Sequence, residues 1–285
     1  FGRPCKGPGG WAARRAWTET CSAPRMAKKK IRYAVVGQGY FAQAAILPAF
    51  QKSPNSELVA LVSGDAAKLE ELGERYGVKH RPSYDTYDEL LDSGEVDAVY
   101  IAAPNSMHCD LTLRAAKHEV HVLCEKPMAM TEEECQRMID ACDQAGVKLM
   151  IGYRLHFEKA NLSAIEIANS GRLGEVRIFD SVFCQQVEQG NSRLQAELGG
   201  GPLYDVGIYC VNAARYLFRS EPLEVVAFTS SRSDDPRFAE VEEQVSAILR
   251  FSEGRIAQFT ASFGAHDAGR YELIGTNGVL RVDPA

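Results

Sequence analysis

The spacing of apolar residues changes about halfway along the chain. From Ile31 to Gly152, short apolar runs alternate with stretches of helical period. Ile31–Val36, Glu57–Val62, a short segment near Tyr84, Ala98–Ala102, Val120–Cys124 and Lys148–Gly152 read as strands. Phe41–Phe50, Ala66–Tyr76, Thr86–Asp92, Met107–His118 and Glu132–Ala145 read as helices between them. Gly77 and Gly146 stand where helix C-caps belong, and Thr131 with Glu134 forms a capping box. This alternation predicts right-handed crossovers and a parallel sheet.

Beyond Gly152 the pattern differs. Phe157–Asn169 and Asp205–Leu217 have helical spacing. Val176–Gln186, Val225–Ser230, Gln244–Phe251, Arg255–Ser262, Tyr271–Ile274 and Val279–Val282 read as strands. Ser252-Glu253-Gly254 and Thr276-Asn277-Gly278 look like hairpin turns. The chain therefore reads as α/β. A dinucleotide-binding Rossmann domain over 31–152 precedes an α+β domain over 153–285 with an open, mostly antiparallel sheet. Residues 1–30 stand apart: Phe1–Gly10 is rich in Gly and Pro, Trp11–Arg25 has no clear period, and Met26 reads as the natural start.

Composition narrows the function classes. The chain has 285 residues, 45% of them hydrophobic, enough for about two domains with a sizeable core. A net charge of −6 argues against a general nucleic-acid binder. No apolar run reaches about 18 residues, so no membrane span is expected. The eight cysteines form no CxxC pair, which argues against a zinc ribbon and suits reduced thiols in a cytoplasm. No metal site is expected.

The first strand runs into Gly37-Gln38-Gly39-Tyr40-Phe41-Ala42. Gly37 permits a tight turn, Gly39 lets a pyrophosphate approach its backbone, and Ala42 allows helix to pack on strand. The N–H groups of the following helix would face the phosphates. At the end of the second strand, NAD sites carry an acidic residue for the ribose 2′-hydroxyl. Here Ser63 and Gly64 follow Val62, and Lys68 lies in the next helix turn. That set favours the 2′-phosphate of NADP, with Asp65 capping the helix, although NAD stays possible.

Ligands of such sheets bind beyond the carboxyl ends of the strands. Those ends carry Pro104, Asn105 and His108, then Glu125 and Lys126, then Arg154. Lys126 could be a proton-moving lysine in a cleft or a surface partner of Glu125. His108 could be a base or a polar cap. Asp205 and Tyr209 share one helix face after the loop Gly199-Gly200-Gly201. They suit acid–base work, or Asp205 caps the helix while Tyr209 packs in the core.

Together, Val36–Ala42, Ala60–Gly64, Pro104–His108, Cys124–Met128, Met150–Arg154 and Gly199–Tyr209 resemble the Gfo/Idh/MocA oxidoreductases, within them the glucose–fructose oxidoreductase branch. Val241-Glu242-Glu243-Gln244 also resembles the sugar-oxidising subgroup. The resemblance implies that Lys126 is the catalytic lysine, with Asp205 and Tyr209 its partners, and that Arg193 contacts the cofactor. It implies an NADP-dependent enzyme moving hydride at C1 of an aldose, glucose- or xylose-like, and subunits associating through the second sheet. A non-catalytic dinucleotide-binding sensor of the same fold is the alternative. The family continues beyond Asp283-Pro284-Ala285, so a truncated second domain is expected. Phe1–Lys30 resembles neither the export signal nor the cofactor-clasping arm of that branch, so export and tight cofactor retention do not carry over.

Overall fold

A computed structural model describes residues 29–285; the readings made for residues 1–28 lie outside them. Five parallel strands form the first sheet: β1 (Ile31–Val36), β2 (Ser56–Val62), β3 (Ala98–Ile101), β4 (His121–Cys124) and β5 (Leu149–Ile151), in the order β2-β1-β3-β4-β5. Its period-2 alternation divides the core into two layers. Ala34, Val36, Ala60 and Val62 join Val99 and Ile101 on one face, over α4 (His108–Lys117) and α5 (Glu132–Ala145). Val35 and Leu61 lie on the other, with Leu47 of α1 (Leu47–Lys52) and Leu69 and Leu72 of α2 (Ala66–Tyr76). The short α3 (Tyr87–Asp92) packs its Leu90 and Leu91 into the first layer. Strand order reverses between β1 and β3, which opens a crevice at their carboxyl ends.

Helix ends follow the local sequence. Asp65 accepts the Lys68 N–H at 3.0 Å and caps α2, and Thr131 accepts the Glu134 N–H at 3.2 Å and caps α5. Gly77 and Gly146 close these helices in the left-handed region. The capping box differs slightly from expectation: Glu134 accepts the N–H of Met130 rather than that of Thr131.

The strand expected near Tyr84 does not form. That segment meets β2 in one bridge, Ala60 with His80. The carbonyls of His80 and Pro82 accept the N–H groups of Leu61 and Ser63. Pro82 has no N–H to return, so the ladder stops there.

The second unit begins with α6 (Lys159–Asn169). Its sheet holds β6 (Val176–Cys184), β7 (Glu224–Ser230), β8 (Gln244–Arg250), β9 (Ile256–Ser262), β10 (Ala268–Gly275) and β11 (Val279–Val282), ordered β11-β10-β6-β9-β8-β7. Only β6 and β9 pair in parallel; the other neighbours are antiparallel. Both expected hairpins join antiparallel strands. One face buries Phe179, Phe259 and Leu273 with α7 (Ile208–Phe218). The opposite face is open: along β8, Val245, Ala247 and Leu249 point inward while Gln244, Ser246, Ile248 and Arg250 are exposed. Among the described residues no helix is long and apolar enough to cross a membrane.

Candidate active site

The turn after β1 is fixed by close approach. Gly37 sits at φ +96°, and a Cβ there would lie 2.6 Å from Ala102 O and Ala103 N at the end of β3. No side chain fits in that gap. Around the position a Cβ of Gly39 would take, nothing lies within 4 Å, and Gly39 is exposed. Open space over a backbone glycine at a strand-to-helix turn is what a pyrophosphate requires. Tyr40 is 85% exposed and stands clear of the protein surface, and Phe41 is half-buried. The chain then enters α1 through a π-helical turn, Ala42–Ile46.

At the end of β2, Ser63 is buried and its hydroxyl accepts the Asp65 N–H at 3.2 Å. Its own proton stays available. Asp65 turns to the helix it caps, which holds its carboxyl below the usual range. No carboxylate therefore reaches back to a ribose from this loop. Lys68 Nζ lies 3.5 Å from Asp65 Oδ2, half exposed at the first turn of α2. Gly64 is exposed and in ordinary contact with the Tyr84 ring.

The two domains meet at Lys126. Its Nζ donates to Asp205 Oδ1 at 2.7 Å and to the Asp205 main-chain oxygen at 2.6 Å. The other carboxylate oxygen, Oδ2, accepts from Arg193 Nε at 2.7 Å. The side chains of Lys126 and Asp205 are 11% and 16% exposed, so this is a cleft ion pair and not a surface one. Burial would raise the Asp205 carboxyl, but the charges of Lys126 and Arg193 outweigh it and hold the group below its ordinary value. Lys126 is thus not the surface partner of Glu125, and Asp205 is not a helix cap.

Asp205 lies in a second π-helical turn, Leu203–Gly207, which leads into α7. The glycine loop before it is packed on three sides. A Cβ on Gly199 would strike Met130 and Asn105, one on Gly200 the carbonyls of Arg193 and Gln195, and one on Gly201 would press on Glu242. Asn105 also donates to Gly199 O at 2.8 Å, which ties the loop to the end of β3. π-helical turns recur at functional sites, and both of those found here flank the crevice.

Tyr209 lies one turn after Asp205. The Lys126 ammonium stands over its ring, 4.9 Å from the centroid. Tyr153 meets the ring edge-on at 6.4 Å and Phe183 lies at 5.6 Å. Burial pushes the phenol well above its ordinary value, the charge of Glu125 adds to this, and Arg154 opposes it. Tyr209 is therefore a neutral phenol around neutral pH. Arg154 is exposed and its Nη1 donates to Glu158 at 2.9 Å; Pro104 is exposed at the lip.

His108 corrects an expectation. It is fully buried, with Nδ1 2.8 Å from Pro127 O and Nε2 3.0 Å from Ala103 O. It neither faces the cleft as a base nor caps α4 with its side chain, and burial lowers its basicity. It ties the loop after β3 to the loop after β4 from beneath, so it lies behind any cofactor surface.

Sequence reasoning missed Tyr100. Its hydroxyl donates to Glu125 Oε1 at 2.5 Å. The only signal was a tyrosine in an otherwise apolar strand.

Residues 31–153 match the model of an oxidoreductase family with an NAD-binding Rossmann fold, and residues 162–281 match the GFO/IDH/MocA C-terminal domain. The chain belongs to the GFO/IDH/MocA family. The C-terminal domain is present, so the expected truncation of that domain is not borne out. A D-xylose 1-dehydrogenase [NADP(+)] of Haloarcula marismortui is 31% identical over 95% of this chain and 76% of its own length. The structure of aldose-aldose oxidoreductase from Caulobacter crescentus, complexed with glycerol, is 44% identical with a TM-score of 0.87, over 90% of this chain and 78% of that one. A 3-ketoreductase from Actinomadura kijaniata, in complex with NADP and TDP-benzene, is 30% identical with a TM-score of 0.81, over 90% and 77%.

Proposed function

We propose that this chain is an NADP-dependent oxidoreductase that moves hydride between C1 of a glucose- or xylose-like aldose and the nicotinamide. The observation that carries the reading is the Lys126 ammonium, fixed across the two domains by Asp205 and stacked over Tyr209. The xylose dehydrogenase and the aldose-aldose oxidoreductase support the substrate class.

The residues fit the cofactor. Gly37 and Gly39 shape the pyrophosphate turn, with Tyr40 and Phe41 at its edge. Ser63, Gly64 and Lys68 would receive the 2′-phosphate, and Pro104, Asn105, Glu125, Arg154 and Arg193 would border the nicotinamide end. When bound, the nicotinamide accepts or gives the hydride.

The protein's share is placement and proton movement. An ammonium has three N–H donors, and two of those on Lys126 are spent on Asp205. The third is free for the substrate oxygen at C1. In reduction the neutral Tyr209 phenol gives its proton to the C1 oxygen. In oxidation it takes the C1 hydroxyl proton as the phenolate, after its own proton has passed to solvent, a form that the Lys126 ammonium over its ring favours. Asp205 keeps both cations in place and can still accept from a neighbouring sugar hydroxyl through its remaining lone pairs. Residues 31–152 carry the cofactor and 153–285 the sugar.

We also infer that the open sheet face seats a second copy of the chain, through Val226, Phe228, Ile248 and Val279, all more than 40% exposed. Light scattering checks this: a monomer mass contradicts it. For the activity, the test is absorbance of the reduced nicotinamide with NADP⁺ and a panel of aldoses. Glucose- or xylose-like sugars should give turnover. Binding of NADP⁺ without turnover on any aldose would leave the sensor reading instead.

A further inference from the structure

Glu125 is a carboxylate in an unusual place. It is 8% exposed, at the end of β4, immediately before Lys126. Its backbone is held by the sheet: its N–H donates to Ile101 O at 2.9 Å. Its side chain is wedged between neighbouring strands. From β3, the Tyr100 hydroxyl donates to Oε1 across an O···O distance of 2.5 Å. On the β5 side stands Gly152, where a Cβ would lie 3.0 Å from Oε1. The second oxygen, Oε2, accepts the backbone N–H of Lys126 at 3.3 Å.

We propose that Tyr100 and Glu125 form a positioning pair that holds an ionised carboxylate under Lys126 and sets the lower end of the pH range in which the site works. This rests on the reading of Lys126 and Tyr209 given above. The pair touches the backbone of the lysine, not the sugar, so it acts through Lys126.

The charged and titratable groups around Glu125 define the balance. Burial raises its carboxyl, and the Tyr100 hydrogen bond and the Lys126 charge oppose that rise, with Arg154 adding to them. Tyr209, from α7, feels the Glu125 charge in turn. Without the Tyr100 hydroxyl, one buried oxygen loses its donor and the carboxyl takes up its proton at higher pH. A protonated Glu125 is a weaker acceptor for the Lys126 N–H. Activity that needs the ionised form therefore falls as pH drops through its pKa, and removing the phenol moves that fall upward.

The test uses the full chain, Tyr100→Phe, Glu125→Gln and the double variant. Infrared difference spectra across pH isolate the Glu125 carboxyl, as parent minus Glu125→Gln and as Tyr100→Phe minus the double variant. Reduction of an aldonolactone by NADPH gives the pH profile of turnover, in the direction where Tyr209 starts protonated. The midpoint of the carboxyl band should lie about one pH unit higher in Tyr100→Phe, the scale of one hydrogen bond to a charged group. The acid limb of turnover should move with it, and Glu125→Gln should lose that limb. Equal midpoints, or an acid limb unchanged in Glu125→Gln, would overturn the proposal. If no sugar or lactone turns over in the parent, the functional reading fails while the infrared midpoints still decide whether the pair exists.

Discussion

Lys126 and Asp205 stand 79 residues apart in sequence and 2.7 Å apart in space. One ends a strand of the first sheet, and the other opens the helix that covers the second. The contact joins the two domains. Breaking a buried ion pair from one side costs about 3–5 kcal/mol, because the remaining charge is left unpaired. Asp205 is doubly committed, since Arg193 also depends on it.

Two substitutions separate proton handling from assembly. Lys126→Ala and Tyr209→Phe should each reduce sugar turnover about a hundredfold or more, the scale of losing a proton-transfer group. NADP⁺ affinity should survive Tyr209→Phe. Steady-state kinetics with cofactor titration checks this, and near-normal turnover in either variant removes that residue from the mechanism.

The loop after β2 predicts cofactor choice. Asp65 is spent on capping α2, and Ser63, Gly64 and Lys68 remain for a 2′-phosphate. The chain should bind NADP⁺ more tightly than NAD⁺, and Lys68→Ala should narrow the difference about threefold to tenfold by losing one exposed charge contact. Fluorescence titration of both nucleotides decides it. Tighter NAD⁺ binding in the parent, or an unchanged ratio in the variant, contradicts the assignment.

Gly37→Ala should be severe at a position where alanine is otherwise a mild change. The new Cβ would meet backbone atoms at 2.6 Å in a region of φ that L-residues avoid. Nucleotide affinity should drop at least about tenfold and the melting temperature should fall, because the end of β3 must shift. A normal melting curve and normal affinity would contradict the geometry of the turn.

Acid stability has a separate source. Arg32 binds Asp97 through its backbone N–H at 2.9 Å and through Nε and Nη2 at 3.0 and 2.7 Å. The Arg32 hydrogen bond, above all, holds the Asp97 carboxyl down at about 2. A depressed carboxyl stabilises the fold above its unfolded pKa and loses that contribution as pH falls through the folded one. Asp97→Asn should therefore cost up to about 2 kcal/mol at neutral pH, shrinking between about pH 4 and pH 2. Denaturant melts across pH check it; a cost independent of pH would contradict it.

Much of this was legible in the chain itself. Gly37 announced the tight turn after β1, a local constraint set by a φ that only glycine takes readily and by the close approach of β3. The caps at Asp65 and Thr131 were legible for the same reason: they are local. Contacts between distant segments were not. Tyr100 and Glu125 are 25 residues apart on neighbouring strands, and no spacing rule brings them together. Arg193 was flagged through the resemblance, but its bond to Asp205 depends on how a glycine loop folds back. His108 looked like a cleft residue because it follows a strand end, yet its ring turns beneath the loops to meet two carbonyls. Near Tyr84, propensity favoured a strand, and Pro82 stopped the ladder.

The most direct test of the central claim follows the hydrogen itself. The chain is given NADP⁺ and an aldose deuterated at C1, and both products are analysed by mass spectrometry and NMR. The account predicts that the deuterium appears on the nicotinamide of the reduced cofactor and that Tyr209→Phe slows its appearance. Deuterium left at C1 of a converted sugar, or reduced cofactor without deuterium, would contradict it.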